Sequence, residues 1–183
     1  MAKYILLSGP PGAGKDTVGN LIAKVYGAEP EKFAQPLMDA ASSLGFDMRE
    51  AHKEDCTGPG SMSRRQFQIE FSERFCKPVL GLDVFGRALA KRARRMSEGL
   101  LFVVTDSGFL SEAVALAEEV GRENIRRIHL HRPGHDYSRD SRSDWNSSDL
   151  GIVRVDITND GSVDQLKGKL LAALTPWADW MGA

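Results

Sequence analysis

The chain has 183 residues, a net charge of −1, 42% hydrophobic and 27% charged residues. These values suit one globular domain, and the near-zero charge gives no global reason to expect nucleic acid or an anionic membrane as a partner. No apolar run approaches the ~18 residues of a membrane helix. The first residues already read as a strand, with no space for a signal peptide. Cys56 and Cys76 show no C-x-x-C spacing and no nearby His pair, so two reduced thiols in a cytoplasmic protein are expected.

Lys3 to Val25 carries the strongest signal. An apolar run, KYILLS, leads into GPPGAGKDT and then into a helix pattern with Val18, Leu21, Ile22 and Val25 on one face. Gly9 to Lys15 fits the phosphate-loop spacing G-x-x-x-x-G-K in its required strand–loop–helix context. Gly9, Gly12 and Gly14 permit close backbone approach, so successive N–H groups can form an anion nest. The start of the next helix adds its positive dipole end. Gly9, Gly12, Ala13, Gly14, Lys15, Asp16, Thr17 and Val18 are therefore the expected ATP contacts, with Lys15 as the catalytic cation. Asp16 stands where the pattern has Ser or Thr, and Thr17 follows one place later as hydroxyl partner of metal or phosphate.

Beyond this loop, residues 26–30 read as a turn, 32–34 as a short strand, and 36–44 as a helix with Pro near its start. Residues 46–60 read as a polar loop ending in Thr-Gly-Pro-Gly. A helix over 63–75 opens on a capping box, Ser63 with Gln66, and Phe67, Phe71 and Phe75 are expected in the core. Arg64 and Arg65 fall in its first turn, where a bound anion would offset their clash with the dipole. Lys77-Pro78 is expected to break the helix. The next helix, 83–96, has Val84, Phe85, Ala88, Leu89 and Met96 inside, a solvated arginine run, and Arg87 near its start. Leu100 to Thr105 reads as a central strand covered on both faces. Asp106 follows at its carboxyl end, where ligands sit in open parallel sheets and a carboxylate can orient magnesium or its waters.

A helix over 111–120, a strand over 125–130, an edge strand alternating through Val153, Val155 and Ile157, and a closing helix capped by Ser162 and Gln165 complete the pattern. Residues 132–149, RPGHDYSRDSRSDWNSSD, are too polar for the core. They read as a surface loop or as a lid that brings Arg132, Arg139 and Arg142 to the transferring group. The sum is an α/β, three-layer P-loop kinase fold: one domain over 1–183, about five parallel strands, an acceptor-binding region at 31–80 and a small lid at 132–149. No N-K-x-D base-reading motif of a GTPase is present, and motor and AAA-type ATPases are usually larger with further nucleotide-sensing elements; a small kinase is what remains.

GPPGAGKDT is similar to the loop of nucleoside monophosphate kinases. The chain resembles, more specifically, the phage-type deoxynucleoside monophosphate kinase family. The matching pieces are GKDTVGNLI, FAQPL at 33–37, SRRQFQIEFSE at 63–73, KPVLGLDVFGR at 77–87 and VVTDSGFLSEA at 103–113. HRPG at 131–134, DSRS at 140–143 and ITNDGSVDQL at 157–166 follow. The resemblance implies ATP with Mg2+ as donor and a deoxynucleoside monophosphate as acceptor. It also implies Arg65 on the acceptor phosphate, Asp106 between acceptor and metal, and Arg132 and Arg142 as lid or donor-side contacts. Thr17, Asp16 and Asp106 are the metal candidates. Many family members have Asp-x-Arg-Phe where this chain has Asp106-Ser107-Gly108-Phe109; Arg64, Arg87 or Arg139 are candidates to replace that arginine. A phosphomevalonate kinase-like enzyme and a nucleotide-binding regulator without transfer activity are the alternatives. Homodimerisation and the base accepted are left open.

Overall fold

The computed structural model describes residues 1–95, 99–138 and 142–182. Met96 and Arg139, singled out above, lie outside them. Five strands form one parallel sheet in the order β2-β3-β1-β4-β5: β1 Lys3–Ser8, β2 Glu29–Glu31, β3 Leu101–Val104, β4 Ile125–His131 and β5 Val153–Thr158. The helices are α1 Lys15–Tyr26, α2 Gln35–Ser43, α3 Arg64–Phe71, α4 Lys77–Leu80, α5 Val84–Ala93, α6 Leu110–Val120, α7 Val163–Leu174 and α8 Ala178–Met181.

Strand side chains alternate between two cores, as a period of two requires. Tyr4, Leu6, Phe102 and Val104 pack with Leu37, Phe85, Leu89 and Leu116. Ile5, Leu7, Leu101 and Val103 pack on the other face with Val18, Ile22, Leu166 and Leu170. Helices thus cover both faces, and the three-layer α/β arrangement expected from the sequence is present. Both capping boxes form: Ser63 and Gln66 open α3, and Ser162 and Gln165 open α7.

Four expectations are corrected. The short second strand lies at Glu29–Glu31 rather than 32–34; it is an edge strand, where Pro30 costs no ladder bond. Lys77-Pro78 does not end the helix. The chain passes through a π turn, Ser72–Cys76, into α4, and the stop falls at Gly81 with φ 104. The wider turn widens the spacing of hydrogen bonds around Pro78, which sits at the helix start of α4 where its missing N–H does least harm. Phe67, Phe71 and Phe75 stack as a ladder, but Phe75 is 50% exposed and is not core. Residues 132–149 are not wholly outside the core, since Trp145 and Ser147 are buried.

The reason is Arg127, fully buried in β4. A buried guanidinium must be paired and hydrogen-bonded. Arg127 donates to Ser8 Oγ at 2.9 Å, to Asp144 at 2.7 Å, to Ser147 Oγ at 3.0 Å and to the Trp145 carbonyl, and its guanidinium carbon lies 3.9 Å from the Trp145 ring centre. The polar segment supplies what the cation needs. Arg154 grips the same Asp144 with two bonds of 3.0 Å.

Helices α5 and α6 pack through Gly86, where a Cβ would lie 2.5 Å from the Glu112 carbonyl oxygen and 2.7 Å from its Cα. Backbone cannot yield cheaply, so Gly86→Ala should lower stability by about 1–3 kcal/mol from overpacking, despite alanine's better helix propensity. A lower denaturant midpoint at unchanged m-value checks this; a midpoint equal to or above wild type contradicts it.

Candidate active site

The glycine-rich loop connects β1 to α1 at the carboxyl edge of the sheet. Gly9, Gly12 and Gly14 have φ of 140, 76 and 101, left-handed values that side chains resist. Neighbours also close around them. A Cβ on Gly9 would lie 2.5 Å from the Leu130 carbonyl, one on Gly12 would meet the His135 ring at 2.6 Å, and one on Gly14 would meet Asn159 Nδ2 at 2.7 Å. Asn159 donates to the Ala13 carbonyl at 3.0 Å, and Arg132 donates to the Gly12 carbonyl at 2.8 Å. With those carbonyls engaged, the loop curvature is fixed from outside.

Lys15 is the first residue of α1, and its ammonium donates to the Gly9 and Pro10 carbonyls at 2.8 and 2.9 Å. Asp16 is exposed and Thr17 half-buried in the first turn, while Ala13 and Val18 are buried. The loop residues and Arg132 are thus brought together. Asn159 and His135 were not singled out for this site by sequence. Asn159 sits in an Asn-Asp-Gly turn whose first residue faces the loop, and only its position inside the family-like ITNDG block hinted at more.

Beside the loop, β3 neighbours β1, and Asp106 follows two residues past its end. The Asp106 carboxylate accepts from the Phe33 and Ala34 backbone N–H groups, each at 2.9 Å. It hooks the start of α2 onto the sheet edge. A cavity of about 380 Å³ opens there, and Phe33, Leu37, Phe85 and Phe109 give it an apolar wall. Its polar groups are Arg65, Gln68, Ser72, Glu73, Lys77, Asp106, Glu112 and Arg142. The π turn helps build this wall: Ser72, Glu73 and Lys77 all face the cavity, with Lys77 2.6 Å from Glu73 and 3.6 Å above the Phe109 ring centre.

The predicted acceptor residues therefore divide. Arg65 and Asp106 line the cavity, as does Arg142, which the sequence placed on the lid. Arg65 lies 3.5 Å from Glu54 in an exposed pair, a contact too weak to hold it there. Arg64 is buried and donates to the Met48 carbonyl at 2.9 Å; it ties the preceding loop to α3 outside the cavity lining. Arg87 is exposed and bonded to Asp83 and the Leu80 carbonyl, also apart from that lining. Each Asp106 oxygen accepts one backbone amide, and each keeps a second lone pair that could face a metal or its waters. Among the described residues no cluster of three or more His, Cys, Asp or Glu could hold a metal ion. The hard oxygens of Asp16 and Thr17 fit Mg2+, which uses few protein ligands and keeps waters and phosphates.

Glu112 was not anticipated. It is 4% exposed, and burial, with Asp106 adding repulsion and Lys77 opposing, pushes its carboxyl up to about 8. Burial raises Asp106 as well, against its two amide bonds.

No family profile matches the chain, and no curated protein does. Solved structures do. A gluconokinase from Sinorhizobium meliloti 1021 aligns with TM-score 0.53 at 16% identity, covering 98% of this chain and 95% of its own. The Mycobacterium tuberculosis APS kinase CysC, in complex with AMPPNP and APS, aligns with TM-score 0.55 at 13% identity over 94% and 97%. Dephospho-CoA kinase from Campylobacter jejuni aligns with TM-score 0.51 at 14% identity over 98% and 99%.

Because the folded protein holds the Glu112 proton between its ordinary pKa and about 8 while the unfolded chain releases it, stability falls as pH rises through that window, by about 1.4 kcal/mol per unit for a fully differing group. Glu112→Gln removes this slope, so the variant should gain a few kcal/mol relative to wild type between pH 5 and 8. Urea midpoints across that range check it; parallel curves for the two proteins contradict it. Along almost its whole length the chain therefore has the α/β fold of these three kinase structures, with the glycine-rich loop after β1.

Proposed function

We propose that this chain transfers the γ-phosphoryl group of ATP to a deoxynucleoside monophosphate, giving a deoxynucleoside diphosphate and ADP. The observation that carries the reading is the pairing of two sites along one sheet edge. A phosphate nest headed by Lys15 stands at the end of β1, and an arginine-bearing cavity stands at the end of β3, its neighbour.

The donor triphosphate lies along the N–H groups of residues 9–17, and Lys15 turns from the loop carbonyls to the β- and γ-oxygens. Asp16 and Thr17 would hold Mg2+, and the ion would supply charge neutralisation for the donor phosphates. Arg65 grips the acceptor phosphate, and the base enters between the apolar wall and Glu112. The acceptor oxygen attacks the γ-phosphorus in line, the bond to the β–γ bridging oxygen breaks, and ADP leaves. Positioning and positive charge supply most of the rate. Arg132, on the Gly12 carbonyl, stabilises the donor loop, and residues 132–138, with His135 against Gly12, cover it against water.

A coupled ADP-release assay across the common deoxynucleoside and ribonucleoside monophosphates, with an isoprenoid phosphate included, tests the reading. Turnover of at least one deoxynucleoside monophosphate supports it. Turnover of only the isoprenoid phosphate, or ATP binding without transfer to any acceptor, overturns it. Lys15→Ala should lower kcat by about 10³-fold or more. Arg65→Ala should raise the acceptor KM by roughly tenfold or more, with ATP KM little changed.

A further inference from the structure

Gly108 is buried but its φ is not in the left-handed region, unlike that of twelve other glycines in the chain. Its backbone could therefore carry any side chain. What forbids one is space. A Cβ at this position would lie 2.9 Å from Arg142 Cβ, 2.5 Å from its Cγ and nearer still to its Cδ. Those atoms are the stem of the side chain, not its flexible end, so avoiding the clash means moving the whole arginine.

The stem laid across Gly108 delivers Arg142 to the cavity that Arg65, Asp106 and Glu112 also line. The arginine charge acts on both carboxyls there, favouring their ionised forms. Two residues further on, Asp144 is locked between Arg127 and Arg154. Arg142 is therefore tethered on one side and slotted on the other, and its approach to the cavity does not depend on a loose loop.

We infer that Gly108 is a slot for Arg142, and that Arg142 and Arg65 form a two-arginine clamp for the phosphate monoester of the acceptor. Arg142 thus takes the role that an arginine on the strand-end loop would otherwise fill, reaching the same cavity from the segment after β4. The inference rests on the cavity being the acceptor site. It assigns Arg142 to acceptor binding rather than to the donor side, and gives Gly108 a function although it touches no ligand.

Steady-state kinetics of Gly108→Ala, Arg142→Ala and the double variant test this. Arg142→Ala should raise acceptor KM about tenfold or more while ATP KM stays within about twofold. Gly108→Ala, which removes no charge, should reproduce that split, and the double variant should be no worse than Arg142→Ala alone because both act through one side chain. Arg142→Lys should recover only part of the loss, since a point charge lacks the planar fork. Unchanged acceptor KM in Gly108→Ala, or effects that multiply in the double variant, would overturn the slot. A rise in ATP KM rather than acceptor KM would overturn the clamp. Should no monophosphate be a substrate of the wild type, the acceptor reading fails. The clamp is then judged by calorimetry with inorganic phosphate, on variants whose circular dichroism matches wild type: binding at least tenfold weaker in Arg142→Ala and Gly108→Ala supports it, and equal binding refutes it. If Gly108→Ala does not fold, Arg142→Ala decides by the same two readouts.

Discussion

Arg127 sits in the middle of β4 with none of its side chain exposed, and much of the site is arranged around that fact. Burying a guanidinium costs several kcal/mol unless its donors are matched. The matches come from two directions. Ser8 Oγ accepts from the side of β1, one residue before the phosphate loop. Asp144, the Trp145 carbonyl and Ser147 accept from the segment after β4. One cation thus couples the donor loop to the segment that carries Arg142. His129 joins the group at 2.9 Å from Ser8 Oγ, and burial holds its imidazole well below its ordinary range, so it enters as a neutral hydrogen-bonding ring and adds no second positive charge.

A second constraint works across the sheet edge. Asp106 accepts from two consecutive backbone amides, which fixes where α2 begins relative to β3. That anchoring defines one wall of the cavity, while the Gly86 contact between α5 and α6 defines another. The π turn at Ser72–Cys76 sets the third, because the added residue in the turn brings Glu73 and Lys77 to the same opening. The cavity is therefore shaped by strand ends and packed helices, which hold geometry better than loops do. The donor loop is braced in the same manner by Asn159, Arg132 and the Leu130 carbonyl.

Sequence reasoning reached the architecture because apolar periodicity, the loop spacing and two capping boxes are local signals. It missed what depends on distant partners. The short strand was displaced by a few residues because Glu-Pro-Glu has no strand character of its own; pairing with β3 makes it one. Pro78 read as a stop because a π turn leaves no mark in composition. Arg127 could have been suspected: IRRIHLH places adjacent arginines in an inner strand with both faces covered, so one of them had to enter a core and find partners. Glu112 lay hidden in an ordinary amphipathic helix, and Arg142 in a polar run whose fate depended on Arg127. The acidic and basic cavity groups come from segments tens of residues apart, and no spacing rule connects them.

The central claim is that donor and acceptor phosphates meet across the edge between β1 and β3. A bisubstrate compound, adenosine joined through a chain of phosphates to a deoxynucleoside, tests it most directly. The account predicts that it displaces both a fluorescent ATP analogue and the acceptor, and raises the melting temperature more than ATP and acceptor do together. Competition with ATP alone, with the acceptor still bound, would contradict it.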